Sequence, residues 1–175
     1  MNSLLPMNKR TTLLVITAAI VLIQSCLSTA LLTDFPQSSK AFDFTKISNS
    51  KKSEKDNDRK SKTGSEYYLK TNISDDSLII NSIIGAMKSE GFTVKFNDKN
   101  NGAIVGDRGT RANEWNSVSG VYFQKNLDGY EIYITCKITQ DFTGGWRDKS
   151  AIKIGEKICE LLKNCIVSYS VKTNP

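Results

Sequence analysis

The chain has 175 residues, a formal net charge of +6 and 39% hydrophobic residues. This length corresponds to a single domain of ordinary size, and the hydrophobic content is too low for a protein that crosses a membrane many times. Histidine is absent, which excludes mechanisms that need an imidazole base or a histidine metal ligand, such as histidine-dependent triads and zincins.

The N-terminal residues have the pattern of an export signal. Lys9 and Arg10 form a short basic region, and residues 11–23 are uncharged and mostly apolar, which is the length of a secretory core rather than of a full membrane span. Residues 23–26 read IQSC. They resemble the lipobox of bacterial lipoproteins, which has an aliphatic residue at its start, a small residue before the cleavage site and a cysteine, here Cys26, directly after it.

The resemblance implies that the chain is cleaved after Ser25 and that Cys26 carries a diacylglyceryl thioether and an acylated amine, with fatty acids such as palmitate. Several acyl chains on one residue anchor a protein stably, whereas a single chain does so marginally. Leu27 follows the cysteine in place of the retention residue aspartate, and the resemblance therefore favours the outer membrane, with the domain facing the periplasm. The competing interpretation is an uncleaved signal anchor, because residues 11–33 are uncharged and long enough to cross about 30 Å of hydrocarbon.

A charged segment follows the export signal. Residues 48–66 are rich in serine and almost free of apolar side chains, so they cannot bury enough surface to offset the entropy of ordering. We expect Phe35, Phe42 and Phe44, which precede this run, to touch the bilayer or a partner. The predicted organisation is a signal peptide over 1–25, the lipidated cysteine and a flexible charged tether over 26–66, a small α+β domain over 67–171 and a tail over 172–175.

The basic charge belongs to the predicted tether. Residues 27–73 have a net charge of +3, whereas residues 74–167 contain equal numbers of acidic and basic side chains. Nucleic-acid binding requires a basic face on the folded domain. We therefore expect no nucleic-acid partner.

The predicted domain begins with a helix. Residues 74–77 offer capping side chains and acidic groups at the positive end of the helix dipole. Apolar residues recur with helical spacing from Ile80 to Met87, and Gly91 is suited to end the helix.

Four strands and a second helix are predicted next. Strands are expected over 92–96, 103–106, 117–124 and 130–139, and the last has the clearest alternation of apolar and polar residues. The closing helix has an apolar stripe from Ala151 to Cys165, and residues 166–171 are a further extended piece that could add an edge strand. Consecutive strands with short turns favour an antiparallel meander. The predicted fold is therefore α+β in the order α-β-β-β-β-α, a two-layer sandwich of a four-stranded antiparallel meander with two helices on one face.

Two polar loops, 107–116 and 140–148, are expected to be neighbours at one end of such a sheet. They contain both tryptophans of the chain, and large aromatic residues beside arginine are frequent in partner hot spots and cation–π contacts. The alternative is that the tryptophans close the open end of the core and that the charges pair among themselves. The candidate partner- or ligand-binding residues are Arg108, Arg111, Glu114, Trp115, Asp141, Trp146 and Arg147.

Three cysteines remain besides Cys26, and none belongs to a CxxC motif, so we expect no metal site and no thioredoxin-like site. Cys159 and Cys165 are predicted to point different ways on one helix, so they should not pair with each other while that segment stays helical. An oxidising periplasm would permit a disulfide from Cys136 to Cys165 or to Cys159. Small buried thiols are the equal alternative.

These patterns favour a non-catalytic lipoprotein of the cell envelope, with the membrane as one partner, through the lipid at Cys26, and an envelope protein as the other. A second hypothesis is a module that holds a small periplasmic ligand between the two loops. A third is an envelope hydrolase that uses two carboxylates among Asp107, Glu114 and Asp141. Because any small domain offers such carboxylates, we predict no enzyme activity. We also expect no cofactor and no metal.

Overall fold

A computed structural model describes residues 32–49, 64–109, 115–140 and 149–171. These residues form an α+β fold with one antiparallel sheet of six strands and three helices. In chain order, after a 3-10 turn over Ser39–Ala41, the elements are α1 (Phe44–Asn49), β1 (Gly64–Thr71), α2 (Asp76–Ser89), β2 (Thr93–Asp98), β3 (Ala103–Arg108), β4 (Trp115–Asn126), β5 (Gly129–Gln140), α3 (Ser150–Leu162) and β6 (Val167–Ser170). The strand order across the sheet is β2-β3-β4-β5-β1-β6.

The sheet has six strands and not the four of the predicted meander. Strand β6 is the edge strand that the extended piece over 166–171 could add, and β1 is a further strand. Strand β1 lies between β5 and β6 and pairs antiparallel with both. Its central residues Tyr67, Tyr68 and Leu69 are all buried, because both faces of this strand are covered. Only these three of its eight residues form an apolar run, and polar residues flank them on both sides, so the sequence does not reveal how long the strand is.

Local signals set the ends of α2 where the sequence predicts them. The side chain of Asp75 accepts hydrogen bonds from the backbone N–H groups of Ser77 (2.8 Å) and Leu78 (3.1 Å), which satisfies two donors at the start of the helix. Gly91 has a φ of 83° just beyond the C-terminal cap. Glycine adopts this conformation without steric cost, so the chain can turn directly into β2.

Helices α2 and α3 cover one face of the sheet. Residues such as Ile83 of α2 and Ile154 of α3 are fully buried against strand residues that include Leu69 and Ile132. The close approach of α3 to β1 depends on Gly155, because a Cβ at this position would overlap the ring of Tyr67. This helix face is the main apolar core of the protein.

The opposite face of the sheet is covered by residues 32–49, which we call the strap. Phe35 is 3% exposed and packs with Val105 and Val118. Its approach to the sheet depends on Gly120, where a Cβ would come within 2.8 Å of Phe35 Cδ1. Phe44 is 4% exposed and belongs to a second cluster of buried aromatic residues on the same face.

The strap differs from the flexible tether predicted over 26–66, which also included the first residues of β1. The ring of Phe42 lies 4.3 Å from that of Tyr122 and 5.0 Å from that of Tyr133, measured between centroids. The expectation that Phe35, Phe42 and Phe44 touch a bilayer or a partner is therefore wrong: all three pack on the protein's own sheet. Each phenylalanine removes a large apolar area from water, which outweighs the polar composition of the residues around it.

Within the described ranges, no helix is both long enough and apolar enough to cross a bilayer. The predicted signal peptide, Cys26 and the predicted tail over 172–175 lie outside the described residues.

Candidate functional site

The two loops predicted to form the site start and end at one end of the sheet, which we call the loop end. Arg108, the last residue of β3, is paired with Ser117. Trp115, the first residue of β4, is paired with Gln140, the last residue of β5. The chain therefore enters and leaves both loops side by side. Of the predicted site residues, Arg111, Glu114, Asp141, Trp146 and Arg147 lie outside the described part of the chain.

Arg108 is buried at the loop end, with an exposure of only 5%. Its Nη1 donates a hydrogen bond to the carbonyl oxygen of Glu90 (3.3 Å), and its Nη2 donates to Ser117 Oγ (3.2 Å). The guanidinium carbon lies 4.7 Å from the centre of the Phe92 ring. Glu90 caps the C-terminus of α2, where the helix carbonyls carry a negative partial charge that favours a cation.

These contacts correct the prediction for Arg108. The sequence places it in an exposed partner-binding loop, whereas the structure places it inside the domain, where it joins the end of α2 to β4. An arginine in a polar segment is usually solvated, and the sequence carries no local signal that this one turns inward. Arg108 therefore stabilises the loop end from inside the domain and is not part of its surface.

Two small polar side chains lie side by side in the interior of the sheet's helix face. Ser119 and Cys136 are paired across β4 and β5, and both are at least 99% buried. The hydroxyl of Ser119 has no hydrogen-bond partner within the described part of the chain. A serine becomes a nucleophile only beside a group that can take its proton. The neighbouring Ser117 does accept a hydrogen bond from Arg108. Because arginine stays protonated at neutral pH, it cannot take the proton of Ser117 and does not activate it.

The predicted disulfide from Cys136 to Cys165 or Cys159 is wrong, whereas the alternative of a small buried thiol holds for Cys136. Cys159 and Cys165 form a disulfide, with their Cα atoms 5.4 Å apart, and Cys136 is a buried thiol. Helix α3 ends at Leu162, and Lys163 adopts a left-handed conformation with a φ of 55°. The chain therefore turns back beside the last turn of the helix, so Cys165 does not continue the helical stripe that the sequence predicted.

The strap side of the sheet contains a tyrosine cluster that sequence reasoning missed. It consists of Tyr68, Tyr122, Tyr133 and Tyr169, all buried beside Phe44. The rings of Tyr68 and Tyr169 are 5.3 Å apart, and the hydroxyl of Tyr68 donates to a carboxylate oxygen of Glu131 at 2.8 Å. Burial raises the pKa values of Tyr68, Tyr122 and Tyr133. Alternation along β5 predicts that Tyr133 faces solvent. The phenylalanines of the strap are the sequence signal that a second apolar layer covers this face.

Glu66 lies beside this cluster. Burial raises the pKa of its carboxyl group, while a hydrogen bond from Tyr133 and the charge of Lys137 act in the opposite direction. Asp107, a residue of the hydrolase hypothesis, forms an ion pair with Lys95 at 3.6 Å. The described residues contain no group of three or more acidic or cysteine side chains placed to hold a metal ion.

The sequence matches no model of a known protein family, and no curated protein is significantly similar to it.

Proposed function

We propose that the chain is a lipid-anchored protein of the bacterial cell envelope whose α+β domain binds another envelope component without catalysing a reaction. The observation that carries this proposal is the sequence IQSC at 23–26, directly after an uncharged apolar segment. The lipid attaches at Cys26, and the outer membrane is the proposed site because Leu27 follows the cysteine.

The disulfide supports export. Structural disulfides persist in oxidising compartments such as the periplasm and are rare in the cytosol. The bond between Cys159 and Cys165 lies far along the chain from the apolar N-terminal segment, so the two features are independent. Both agree with a domain that functions outside the cytosol.

Mass spectrometry of the mature N-terminus, together with cell fractionation, tests the anchor. The wild-type chain should begin at an acylated Cys26 and remain with the membranes, whereas Cys26→Ser should appear in the soluble fraction. Cys136→Ser is the matched control, because this buried thiol is remote from the processing site in sequence and should leave fractionation unchanged. A Cys26→Ser chain that stays in the membrane unprocessed would show an uncleaved signal anchor instead.

We propose the loop end as the partner site. Its support is the pairing of Trp115 with Gln140, which brings the bases of the loops that carry Trp115 and Trp146 together. The double variant Trp115→Ala/Trp146→Ala should lose its crosslinked partners in intact cells while keeping the melting temperature of the wild type. A double variant that unfolds would assign both tryptophans to the core and end the partner-site proposal.

The same experiment addresses the alternative of a small periplasmic ligand. Loss of a protein crosslink favours an envelope protein as the partner. An unchanged protein crosslink, combined with loss of a copurifying small molecule, favours the ligand-binding module.

A further inference from the structure

The strap begins close in sequence to the proposed anchor. Leu32 is partly buried and packs against the cluster of Phe35, Val105 and Val118, and its carbonyl oxygen accepts a hydrogen bond from the backbone N–H of Phe35 at 3.3 Å. Phe35 is buried against the sheet at Val105 and Val118. The position of residue 32 relative to the sheet is therefore fixed by packing.

Only residues 27–31 separate Cys26 from Leu32. Six residue steps span at most about 20 Å even when the chain is fully extended. A globular unit of this size has a diameter of about 35 Å. The connection from the lipid to the domain is therefore shorter than the domain is wide.

The charged run over 50–63 does not lengthen this connection. It lies between α1 and β1, so both of its ends join parts of the chain that pack on the same sheet. The sequence predicts a long tether over 26–66, but only residues 27–31 connect Cys26 to the strap.

The helices lie on the side of the sheet opposite the strap. Packed layers of secondary structure are about 10 Å apart. A chain that starts at a lipid headgroup and has to reach Leu32 around the helices would need to pass across all the layers of the domain. About 20 Å of chain does not cover such a path.

We propose that the domain is held against the bilayer with its strap toward the lipid headgroups and its α2–α3 layer turned away from them. This orientation rests on the proposed acylation of Cys26. It turns the exposed side chains of the helical layer, such as Leu78 and Leu161 at 41% and 42% exposure, away from the bilayer. On the strap side, the proposed partner is a lipid surface.

Site-specific photocrosslinking tests the orientation in the acylated full-length protein. Asp34→Cys places a thiol on the exposed surface of the strap, and Glu156→Cys places one on the exposed surface of α3. Native thiols should not interfere, because Cys136 is 1% exposed and Cys159 is disulfide-bonded to Cys165. Each variant carries a benzophenone maleimide and is reconstituted into vesicles of phosphatidylethanolamine and phosphatidylglycerol.

The fraction of protein crosslinked to lipid should be several-fold higher from position 34 than from position 156. Inserting about 20 Gly/Ser residues after Ser28 should remove the difference, because a flexible linker of that length lets the domain rotate freely. Equal crosslinking from the two positions, or a difference that persists with the inserted linker, would overturn the orientation.

A separate result bears on the proposed function. If the wild-type chain carries no lipid on Cys26, or if Cys26→Ser binds the vesicles as well as the wild type, the anchor proposal fails. If Cys26 is acylated and both labelled positions crosslink equally, the anchor stands and only the orientation is wrong.

Discussion

The sheet of this protein is covered differently on its two faces. On the helix face, α2 and α3 bury aliphatic side chains such as Ile83 and Ile154 and satisfy their own backbone hydrogen bonds. On the strap face, residues 32–49 bury aromatic side chains such as Phe44 and form a backbone hydrogen bond from Ser39 to Asn101 (2.8 Å). We expect the helix face to be the cooperative core and the strap to open at a lower cost in free energy.

The largest expected effect is on the helix face. Ile83 is fully buried between α2 and the sheet, and Ile83→Ala should lower the free energy of unfolding by about 4 kcal/mol through lost burial and the cavity left behind. Urea denaturation measures this loss. Leu78→Ala, on the same helix but largely exposed, is the control, and an equally small loss in both variants would contradict a core at α2.

Two helical glycines on the same face should respond in opposite directions. A Cβ at Gly155 would overlap the Tyr67 ring, so Gly155→Ala should cost about 2 to 3 kcal/mol through overpacking. A Cβ at Gly85 would lie 3.5 Å from Leu161 Cδ1, an ordinary contact. Gly85→Ala should therefore stabilise the protein by about 0.5 to 1 kcal/mol through helix propensity. Thermal denaturation of both variants compares the signs, and a Gly155→Ala variant as stable as the wild type or more stable would contradict the close packing of α3 on β1.

The disulfide holds the turn at the end of α3. Replacing both Cys159 and Cys165 by serine should lower the free energy of unfolding by about 2 kcal/mol, because the closed loop of the unfolded chain is short. A reducing agent should destabilise the wild type by a similar amount and leave the double variant unchanged. A reductant effect on the double variant would show that another cysteine pair contributes.

The strap should respond locally. Phe44→Ala should cost about 1 to 2 kcal/mol, less than a buried phenylalanine usually loses, because the strap can leave the sheet while the helix face stays folded. Limited trypsin digestion should cut after Lys40 and Lys46, both exposed, faster than in the wild type. A loss as large as that of Ile83→Ala would make the strap part of the cooperative core.

The smallest effect concerns a partly buried carboxylate, Glu66, on the strap face. Burial raises the folded-state pKa of Glu66 above its ordinary value of 4.5, so the folded state binds a proton more tightly than the unfolded state. Stability should therefore fall as the pH rises through the window between these two pKa values. Glu66→Gln should be more stable than the wild type at pH 7 by less than about 1 kcal/mol, and the difference should vanish below the ordinary pKa.

Melting temperatures of the wild type and Glu66→Gln across this pH range measure the effect. Glu160→Gln, at an exposed carboxylate on α3, separates the effect of a buried charge from that of net charge. A Glu66 variant that is less stable than the wild type at neutral pH would contradict the predicted sign.

Signals local to an element were sufficient on the helix face. The cap at Asp75, the turn at Gly91 and the apolar spacing between them predict α2 closely, because each acts within a few residues. The strap could not be predicted in this way. Phe35 and Phe44 are buried only by strands that come much later in the chain, and nothing in their immediate neighbours indicates such contacts.

The site shows the same division. The pairing of strand ends at Trp115 and Gln140 follows from alternation and short turns, which the sequence displays. Arg108 turns inward, and Lys163 adopts the left-handed conformation that brings Cys165 back to Cys159. Both depend on packing, and neither an arginine nor a lysine indicates such a conformation in the sequence. A glycine at position 163 would have indicated the end of α3 and with it the disulfide.

The hydrogen bonds between Tyr169 and the strap connect the first and the last segments of the domain to be synthesised. The hydroxyl of Tyr169 donates to the carbonyl oxygens of Ile47 and Ser48, at 3.2 Å and 2.8 Å, across 122 and 121 positions of sequence. Synthesis runs from the N-terminus, so the strap is among the first segments made, and its last contact is made only when β6 emerges. The strap can therefore complete its packing on the sheet only after the last strand of the domain has been made.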